Sequence, residues 1–244
     1  MALGKDSDHI CSMKNAIVTG STKGMGRSIA ERLSSEGYRV WISARNQNEL
    51  ETAKREIEMK SGNEVMIHAI DFSNRALIER YADEILKTGE SIDVLVNNVG
   101  VYIPDNLKDA QQKLDMQMDV NFYAPYYLTQ KLLQKFEAQQ AGSIFNICSV
   151  VNRKPRVDGA SYTISKFAFW GYHKLLHQTL LPLGIKVTGF FPSSINTSSW
   201  DGMEAPKDEF VQPEDVAEMI ATILTMKRGT VPSEIDLVAI HPEF

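Results

Sequence analysis

Short apolar runs alternate with longer amphipathic stretches along most of this chain. Apolar runs of four to six residues between turn residues predict strands, and apolar positions three to four apart predict helices. The predicted strands cover residues 15–19, 39–44, 64–70, 93–97, 143–148, 186–191 and 234–239. The predicted helices lie near residues 26–36, 47–60, 74–88, 110–138, 160–181 and 213–227.

Several predicted strands, such as Val94-Leu95-Val96, are continuously apolar, which is typical of parallel strands covered on both faces. Strands that alternate with helices predict βαβ units and a doubly wound α/β fold with right-handed crossovers. The chain has 244 residues, enough for one large domain with a buried core. We therefore expect a mobile N-terminal extension over residues 1–12 and a single domain over residues 13–244.

Composition excludes some classes of protein. A formal net charge of −5 and the lack of a basic run argue against nucleic-acid binding. No apolar stretch reaches the roughly 20 residues of a membrane span, and residues 1–12 do not resemble a signal peptide. Two cysteines do not form a disulfide framework. We expect a cytoplasmic protein that binds neither nucleic acid nor membrane.

A glycine-rich segment, Thr19 to Gly26, joins the first predicted strand to the first helix, with glycines at positions 20, 24 and 26. In such a turn glycines allow the backbone to approach a pyrophosphate, and the helix N-terminus supplies N–H donors and a positive dipole end. The alternative is a flexible surface turn. The flanking strand and helix favour a dinucleotide site.

Tyr162 and Lys166 are four residues apart and share one face of a predicted helix, with Ser149 thirteen residues before Tyr162. A cation beside a phenol favours the phenolate, so such a pair can exchange a proton nearer neutral pH. A serine adds a hydrogen-bond donor for a carbonyl oxygen. Taken alone, the pair is also compatible with an ordinary helix face.

Together these segments resemble the short-chain dehydrogenase/reductase family, and the resemblance covers nearly the whole chain. The matching segments are Thr19 to Gly26, Asn97-Asn98-Val99-Gly100, Asn121, Ser149, Tyr162 with Lys166, and Pro192-Ser193 with Thr197 beyond. Two depart from the family pattern, with Val99 where alanine is usual and Ser193 where glycine is usual. The resemblance implies a Rossmann-like sheet of about seven strands, order 3-2-1-4-5-6-7, with helices on both faces. It also implies a homodimer or homotetramer built through the helices carrying Asn121 and Tyr162.

The end of the second strand bears on the cofactor. No acidic residue lies there before Glu49 to bind a ribose 2′-hydroxyl, whereas Arg45 can pair with a 2′-phosphate and Lys23 adds a second charge. We therefore expect NADP(H) rather than NAD(H), the alternative being two solvated surface charges. The predicted cofactor-binding residues are Gly20, Ser21, Lys23, Gly24, Met25, Gly26, Arg45, Asn46, Asp71, Phe72, Asn98, Gly100, Tyr162, Lys166, Pro192, Ile195 and Thr197. Asp71 is equally compatible with a helix cap.

The resemblance implies a carbonyl–alcohol oxidoreductase that acts on a small molecule. Its predicted catalytic residues are Asn121, Ser149, Tyr162 and Lys166, with Tyr162 as the acid/base and Ser149 bonded to the substrate oxygen. Ser149, Val151, Tyr162 and Trp200 are predicted to contact substrate, with Tyr102, Ile103 and Arg153 as further candidates. The alternatives are an NADP(H)-binding sensor without efficient turnover and a protein-interaction scaffold that binds no nucleotide.

Other chemistry-bearing residues fit ordinary roles better. His173 and His177 are four residues apart but lack a third ligand at suitable spacing, so we predict no metal site. Arg153 and Arg156 are candidates for receiving an anionic substrate or are simple loop charges. The substrate itself stays open between a sugar, a steroid-like alcohol, an acyl thioester and a xenobiotic ketone.

Overall fold

The structure, a computed structural model, describes residues 13–109, 111–200, 202 and 204–240. The strands are β1 Asn15–Thr19, β2 Arg39–Ala44, β3 Val65–Ala69, β4 Val94–Asn97, β5 Ser143–Ile147, β6 Lys186–Pro192 and β7 Glu234–Leu237. The helices are α1 Gly24–Ser35, α2 Gln47–Ser61, α3 Arg75–Lys87, α4 Gln111–Met118, α5 Ala124–Gln139, α6 Ala160–Leu180 and α7 Pro213–Thr225. The predicted extension, residues 1–12, lies outside the described residues, and the division into extension and single domain stays a prediction.

The seven strands form one parallel sheet in the order β3-β2-β1-β4-β5-β6-β7, which confirms the predicted topology. Strand order reverses beside β1, where Val18 lies between Ile42 of β2 and Val96 of β4. In doubly wound sheets this reversal opens a crevice at the carboxyl ends of the strands, where ligands bind. The predicted dinucleotide turn follows β1 at this crevice.

Helices cover both faces of the sheet and bury two separate hydrophobic cores. One core packs α3, α5 and α6 around residues such as Ile17 and Leu95, and the other packs α1, α2 and α7 around Val18 and Val96. Neighbouring strand residues therefore contribute to opposite faces. Because both sides are buried, the central strands are apolar along their whole length, which is the pattern seen in the sequence.

Most element ends agree with the predictions within two residues, but the predicted helix over residues 110–138 is wrong as one continuous element. A π-helical turn, Asp119–Tyr123, separates α4 from α5 and contains Asn121. Such turns add one residue to a helical turn and occur frequently at functional sites. A single five-residue turn is too short for the spacing of apolar residues to distinguish it from an α-helix, so periodicity did not detect it. Among the described residues, none of the helices has the length and apolar character needed to cross a membrane.

Candidate active site

The glycine-rich turn is held against the loop that follows β4. Asn98 Nδ2 donates to the carbonyl oxygens of Thr19 and Gly20, at 2.8 and 3.0 Å, while Thr19 Oγ1 accepts from the N–H groups of Asn98 and Val99. The φ angle of Gly20 is 66°, a backbone conformation that residues with a side chain rarely adopt. A Cβ on Gly26 would overlap Gly20 O and Asn98 Nδ2. The turn therefore requires glycine at both positions.

Helix α1 begins at the end of this turn with its N-terminus unblocked by any side chain. Lys23 occupies the N-cap position without a capping hydrogen bond, so the first N–H groups of α1 keep no side-chain acceptor among the described residues. Free N–H groups and the positive helix dipole form an anion-binding site. The chemistry of this turn fits a pyrophosphate.

Two exposed cations flank the turn without a carboxylate partner in the described part of the chain. Lys23 lies in the turn and Arg45 follows β2, and neither forms an ion pair there. Asp71, after β3, accepts from the Ser73 N–H at 3.0 Å; this bond lowers the pKa of Asp71, and the charge of Arg45 lowers it further. Glu49 is bonded to Thr22, at 3.2 Å, so one acid does reach the turn.

The side chains of Asn46 and Asp71 also accept hydrogen bonds from nearby backbone N–H groups. Asn46 Oδ1 accepts from the N–H groups of Asn48 and Glu49 and so caps α2. The alternative that Asp71 caps the next helix is not what the structure shows, because Asn74 is the N-cap of α3. Asp71 instead closes a turn onto Ser73, which leaves its second oxygen free of hydrogen bonds within the described residues.

Ser149 follows β5 and caps a short 3-10 helix, Val150–Asn152. Its Oγ accepts from the Val151 N–H, at 3.3 Å, and its own N–H donates to Asn152 Oδ1, at 3.1 Å. These reciprocal bonds are a capping box, which fixes the Ser149 backbone at the end of the strand. The Ser149 hydroxyl hydrogen has no acceptor among the described residues and can be donated to a ligand.

Tyr162 and Lys166 lie one turn apart on α6, and Lys166 links that helix to β5. Lys166 Nζ donates to the carbonyl oxygen of Ile147, at 2.8 Å, and stands 5.7 Å from the centre of the Tyr162 ring. Ile147 is two residues before Ser149. The lysine therefore brings the Tyr162 helix and the Ser149 strand end to one place. Tyr162 is half-buried, and within the described chain its hydroxyl has no hydrogen-bond partner.

Asn121 reaches the same place from the π-helical turn. Its Oδ1 accepts from the Val101 N–H, at 2.7 Å, and its Nδ2 donates to Val101 O and Ser165 Oγ. A Cβ on Gly100 would lie 3.3 Å from Asn121 Oδ1 and 3.7 Å from Lys166 Nζ. The Asn121 side chain is thus committed to holding the backbone after Gly100.

The segment after β6 closes the site from the other side. Pro192 ends β6, Ile195 pairs with Val211, and Thr197 touches the glycine-rich turn, since a Cβ on Gly24 would lie 3.1 Å from its Cγ2. Trp200 packs on Phe210 with ring centres 4.9 Å apart.

Several predicted contact residues have side chains occupied elsewhere. Ser21 is fully buried and its hydroxyl joins Val18 O to the Ser43 N–H. The side chains of Met25, Phe72 and Val151 are buried, and those of Met25 and Phe72 belong to the two cores. At these positions only the main chain remains for contact with a ligand.

The charged candidates outside this cluster are paired. Arg153 bonds Asp236 and Glu234, at 2.9 and 2.5 Å, and Arg156 bonds Asp158, which favours the simpler interpretation of both arginines. Sequence reasoning missed two residues of this region. Asn152 bonds Ser149 across a short turn, and Glu234 pairs with Arg153, which is far away in the sequence. Groups of three or more potential metal ligands do not occur in the described part of the chain.

A parallel sheet with a glycine-rich turn and an open helix N-terminus at its crevice is the architecture of a dinucleotide-binding α/β protein. The chain belongs to the short chain dehydrogenase family, whose model matches residues 14–208. It is 30% identical to the 3-oxoacyl-acyl-carrier-protein reductase FabG of Aquifex aeolicus, over 91% of this chain and 94% of that protein. Membership confirms the family resemblance seen in the sequence and makes the chain an oxidoreductase-family protein.

Solved structures agree with this assignment. A metagenomic short-chain oxidoreductase in complex with NADP is 31% identical, with a TM-score of 0.82 over 93% of this chain and 96% of that one. A variant of the actinorhodin polyketide ketoreductase with NADPH is 26% identical, with a TM-score of 0.82 over 93% of this chain and 95% of that one. Both contain the cofactor that the sequence predicts for this chain.

Proposed function

We propose that this protein is an NADP(H)-dependent oxidoreductase that interconverts a carbonyl and a secondary alcohol. The observation that supports the proposal is that Lys166, one helical turn from Tyr162, bonds the carbonyl oxygen of Ile147, two residues before Ser149. The hydroxyl hydrogens of Ser149 and Tyr162 have no acceptor among the described residues. Ser149 is only 6% exposed, and a buried hydroxyl hydrogen without an acceptor costs free energy, which supports the binding of a ligand oxygen beside it.

The residues of the turn fit NADP(H). The N–H groups at the start of α1 would hold the pyrophosphate, and Arg45 with Lys23 would hold a 2′-phosphate. Asp71 would receive a hydrogen bond from the adenine through its free oxygen. When bound, the reduced cofactor supplies a hydride to the carbonyl carbon.

The chain's own residues handle the proton. Tyr162 Oη donates its hydrogen to the carbonyl oxygen, so the C=O bond becomes a C–OH group and Tyr162 is left as phenolate. Ser149 Oγ donates a hydrogen bond to the same oxygen and stabilises its developing charge. Lys166, anchored on Ile147 O, keeps a positive charge beside the phenolate. Asn121 positions this arrangement by holding Val101 and Ser165.

The test is NADPH oxidation with a panel of ketones and aldehydes, in the wild type and in Tyr162→Phe. We expect turnover that falls by roughly 10²–10⁴-fold in the variant, the size of a lost general acid. NADPH titration of both proteins is the control, and their affinities should agree. Normal turnover in Tyr162→Phe contradicts the assigned role. Tight NADPH binding by a wild type that reduces no carbonyl favours the sensor alternative, and absent binding favours the scaffold.

We also infer a homodimer or homotetramer formed through the helices that carry Asn121 and Tyr162. Supporting this, the outer face of α6 exposes Ile164, Phe167 and Leu175, which are 43%, 38% and 64% exposed. Exposed apolar side chains on one helix face support the inference of an interaction site. The cytoplasmic location stays a prediction from the sequence.

A further inference from the structure

The segment that follows Gly100 is held at every second residue. Asn121 bonds both the N–H and the carbonyl of Val101, at 2.7 and 2.9 Å. Gln117, fully buried, does the same for Ile103, at 3.1 and 3.2 Å. Each side-chain amide thus satisfies a backbone donor and acceptor, as a neighbouring strand would. Residues 101–103 therefore form a fixed wall of the site.

The far end of this segment is fastened to the start of α6. Asp105, buried, accepts from the Ser161 N–H, at 3.1 Å, and from the Ser161 hydroxyl. Its own N–H donates to Asp158 O. The N-cap residue of α6, Gly159, has no side chain, so Asp105 supplies the cap from a distance. Wall and catalytic helix are in this way one rigid unit.

Tyr102 lies between two fixed residues and its ring is held as well. The ring meets Tyr162 edge to face, with centres 5.2 Å apart and planes at 89°. Its hydroxyl donates to Asp158 O, at 3.2 Å. A Cβ on Gly159 would lie 2.9 Å from Tyr102 Cε2, so only glycine leaves room for this ring. Even so, Tyr102 is 46% exposed.

A half-exposed aromatic ring that is fixed beside a reactive phenol has already lost its rotational freedom, so a ligand that packs on it loses little more entropy. Aromatic pairs are more stable than their buried area alone explains. Arg156, whose charge acts on both Tyr102 and Tyr162, is already paired with Asp158, so its guanidinium is not free to pair with an anionic substrate. The surface beside Tyr162 is therefore suited to an uncharged, flat group.

We propose that Tyr102 determines substrate specificity, and that the pocket prefers carbonyls bearing an aromatic or otherwise planar conjugated substituent over those bearing a bulky saturated one. This rests on the proposed oxidoreductase function. Tyr102 binds the substituent and takes no part in proton transfer.

The test compares two ketones of similar size, acetophenone and cyclohexyl methyl ketone, in the wild type, Tyr102→Leu and Tyr102→Phe. The wild type should favour acetophenone in kcat/KM. Tyr102→Leu should reduce that preference about five- to tenfold, mainly through the KM for acetophenone, which is the size of a lost aromatic pair. Tyr102→Phe keeps the ring and should keep the preference.

Equal losses for both ketones in Tyr102→Leu, or a loss confined to kcat, would show that Tyr102 only supports Tyr162 and would overturn the proposal. Calorimetric binding of both ketones to the NADP⁺-loaded wild type and Tyr102→Leu separates this inference from the reaction. If no ketone is reduced but acetophenone binds more tightly and loses that advantage in Tyr102→Leu, the specificity proposal stands while the proposed function fails. Equal binding of the two ketones overturns it.

Discussion

Asn98 Nδ2 occupies the space that a side chain at Gly26 would fill. The amide is held there by the carbonyl oxygens of Thr19 and Gly20, so neither partner can retreat without releasing the glycine-rich turn. This close approach connects the loop after β4 to the start of α1. The glycine-rich turn can keep this shape only if residue 26 has no Cβ atom, that is, only if it is glycine.

Gly26→Ala should therefore destabilise the protein by about 1–3 kcal/mol, the usual cost of overpacking, and weaken NADPH binding. Gly229→Ala is the matched control, because Gly229 lies in the loop after α7 and a Cβ there would meet nothing within 4 Å. It should change the free energy of unfolding by less than about 1 kcal/mol. Urea denaturation measures both changes. A Gly26→Ala protein as stable as the wild type would show that the turn relaxes freely.

Arg45 should set the preference for NADP(H). Loss of a charge-assisted contact is expected to cost about 1.5–3 kcal/mol, so Arg45→Ala should bind NADPH roughly 10–100-fold more weakly and NADH with little change. Arg55→Ala is the control, an exposed arginine of α2 bonded only to Thr52 among the described residues. Fluorescence titration with both cofactors gives the ratio. An equal loss for NADH and NADPH would contradict a 2′-phosphate contact.

Asn152 should matter more for catalysis than for stability. Its Oδ1 holds the Ser149 N–H, but its buried Nδ2 has no partner within the described chain. Asn152→Ala removes one hydrogen bond and one unsatisfied donor together, so its unfolding free energy should change by less than about 1 kcal/mol. Ser149 loses its anchor, and kcat should fall roughly tenfold with KM little changed. If KM rises while kcat is kept, Asn152 contacts substrate instead of positioning Ser149.

His173 predicts a pH dependence of stability. Burial lowers the pKa of His173 from 6.5 to about 4, and its Nδ1 lies 3.2 Å from Asn146 Nδ2. The unfolded chain binds the proton more readily, so stability is complete above pH 6.5 and is lost as pH falls from 6.5 towards 4. His173→Gln should flatten the unfolding free energy across this window, measured by denaturation at several pH values. An unchanged slope would assign the dependence to other groups.

Leu175 tests the assembly. Leu175→Glu on the outer face of α6 should convert an oligomer into a monomer, because a charge in an apolar interface is costly. Met59→Glu is the control: Met59 is 80% exposed on α2, which covers the opposite face of the sheet. Light scattering gives the mass of each protein. Oligomers that persist in Leu175→Glu would exclude this helix face as the contact.

Much of the fold could be predicted because patterns within short segments of the sequence indicate its strands, helices and turns. Each of these patterns involves residues that are close together in the sequence. Examples are the apolar runs of β1 and β4, the glycine spacing after β1 and the Tyr162–Lys166 pair. The π-helical turn around Asn121 was not predicted, since a single widened turn is too short for the spacing of apolar residues to distinguish it from an α-helix. The sequence predicts only that His173 is not a metal ligand, and it does not predict that His173 is buried against β5, because a helix pattern does not show which polar residue finds a buried partner.

By itself the sequence determined the class of fold, the parallel sheet and the residues able to bind a dinucleotide and move a proton. These follow from periodicity and from chemistry within short segments. Only the tertiary structure decided that Lys166 is anchored on Ile147, that Asp105 caps α6 and that Tyr102 stands against Tyr162. Such contacts join residues far apart along the chain, and they form only where packing of both sheet faces brings the strand ends and helix ends together.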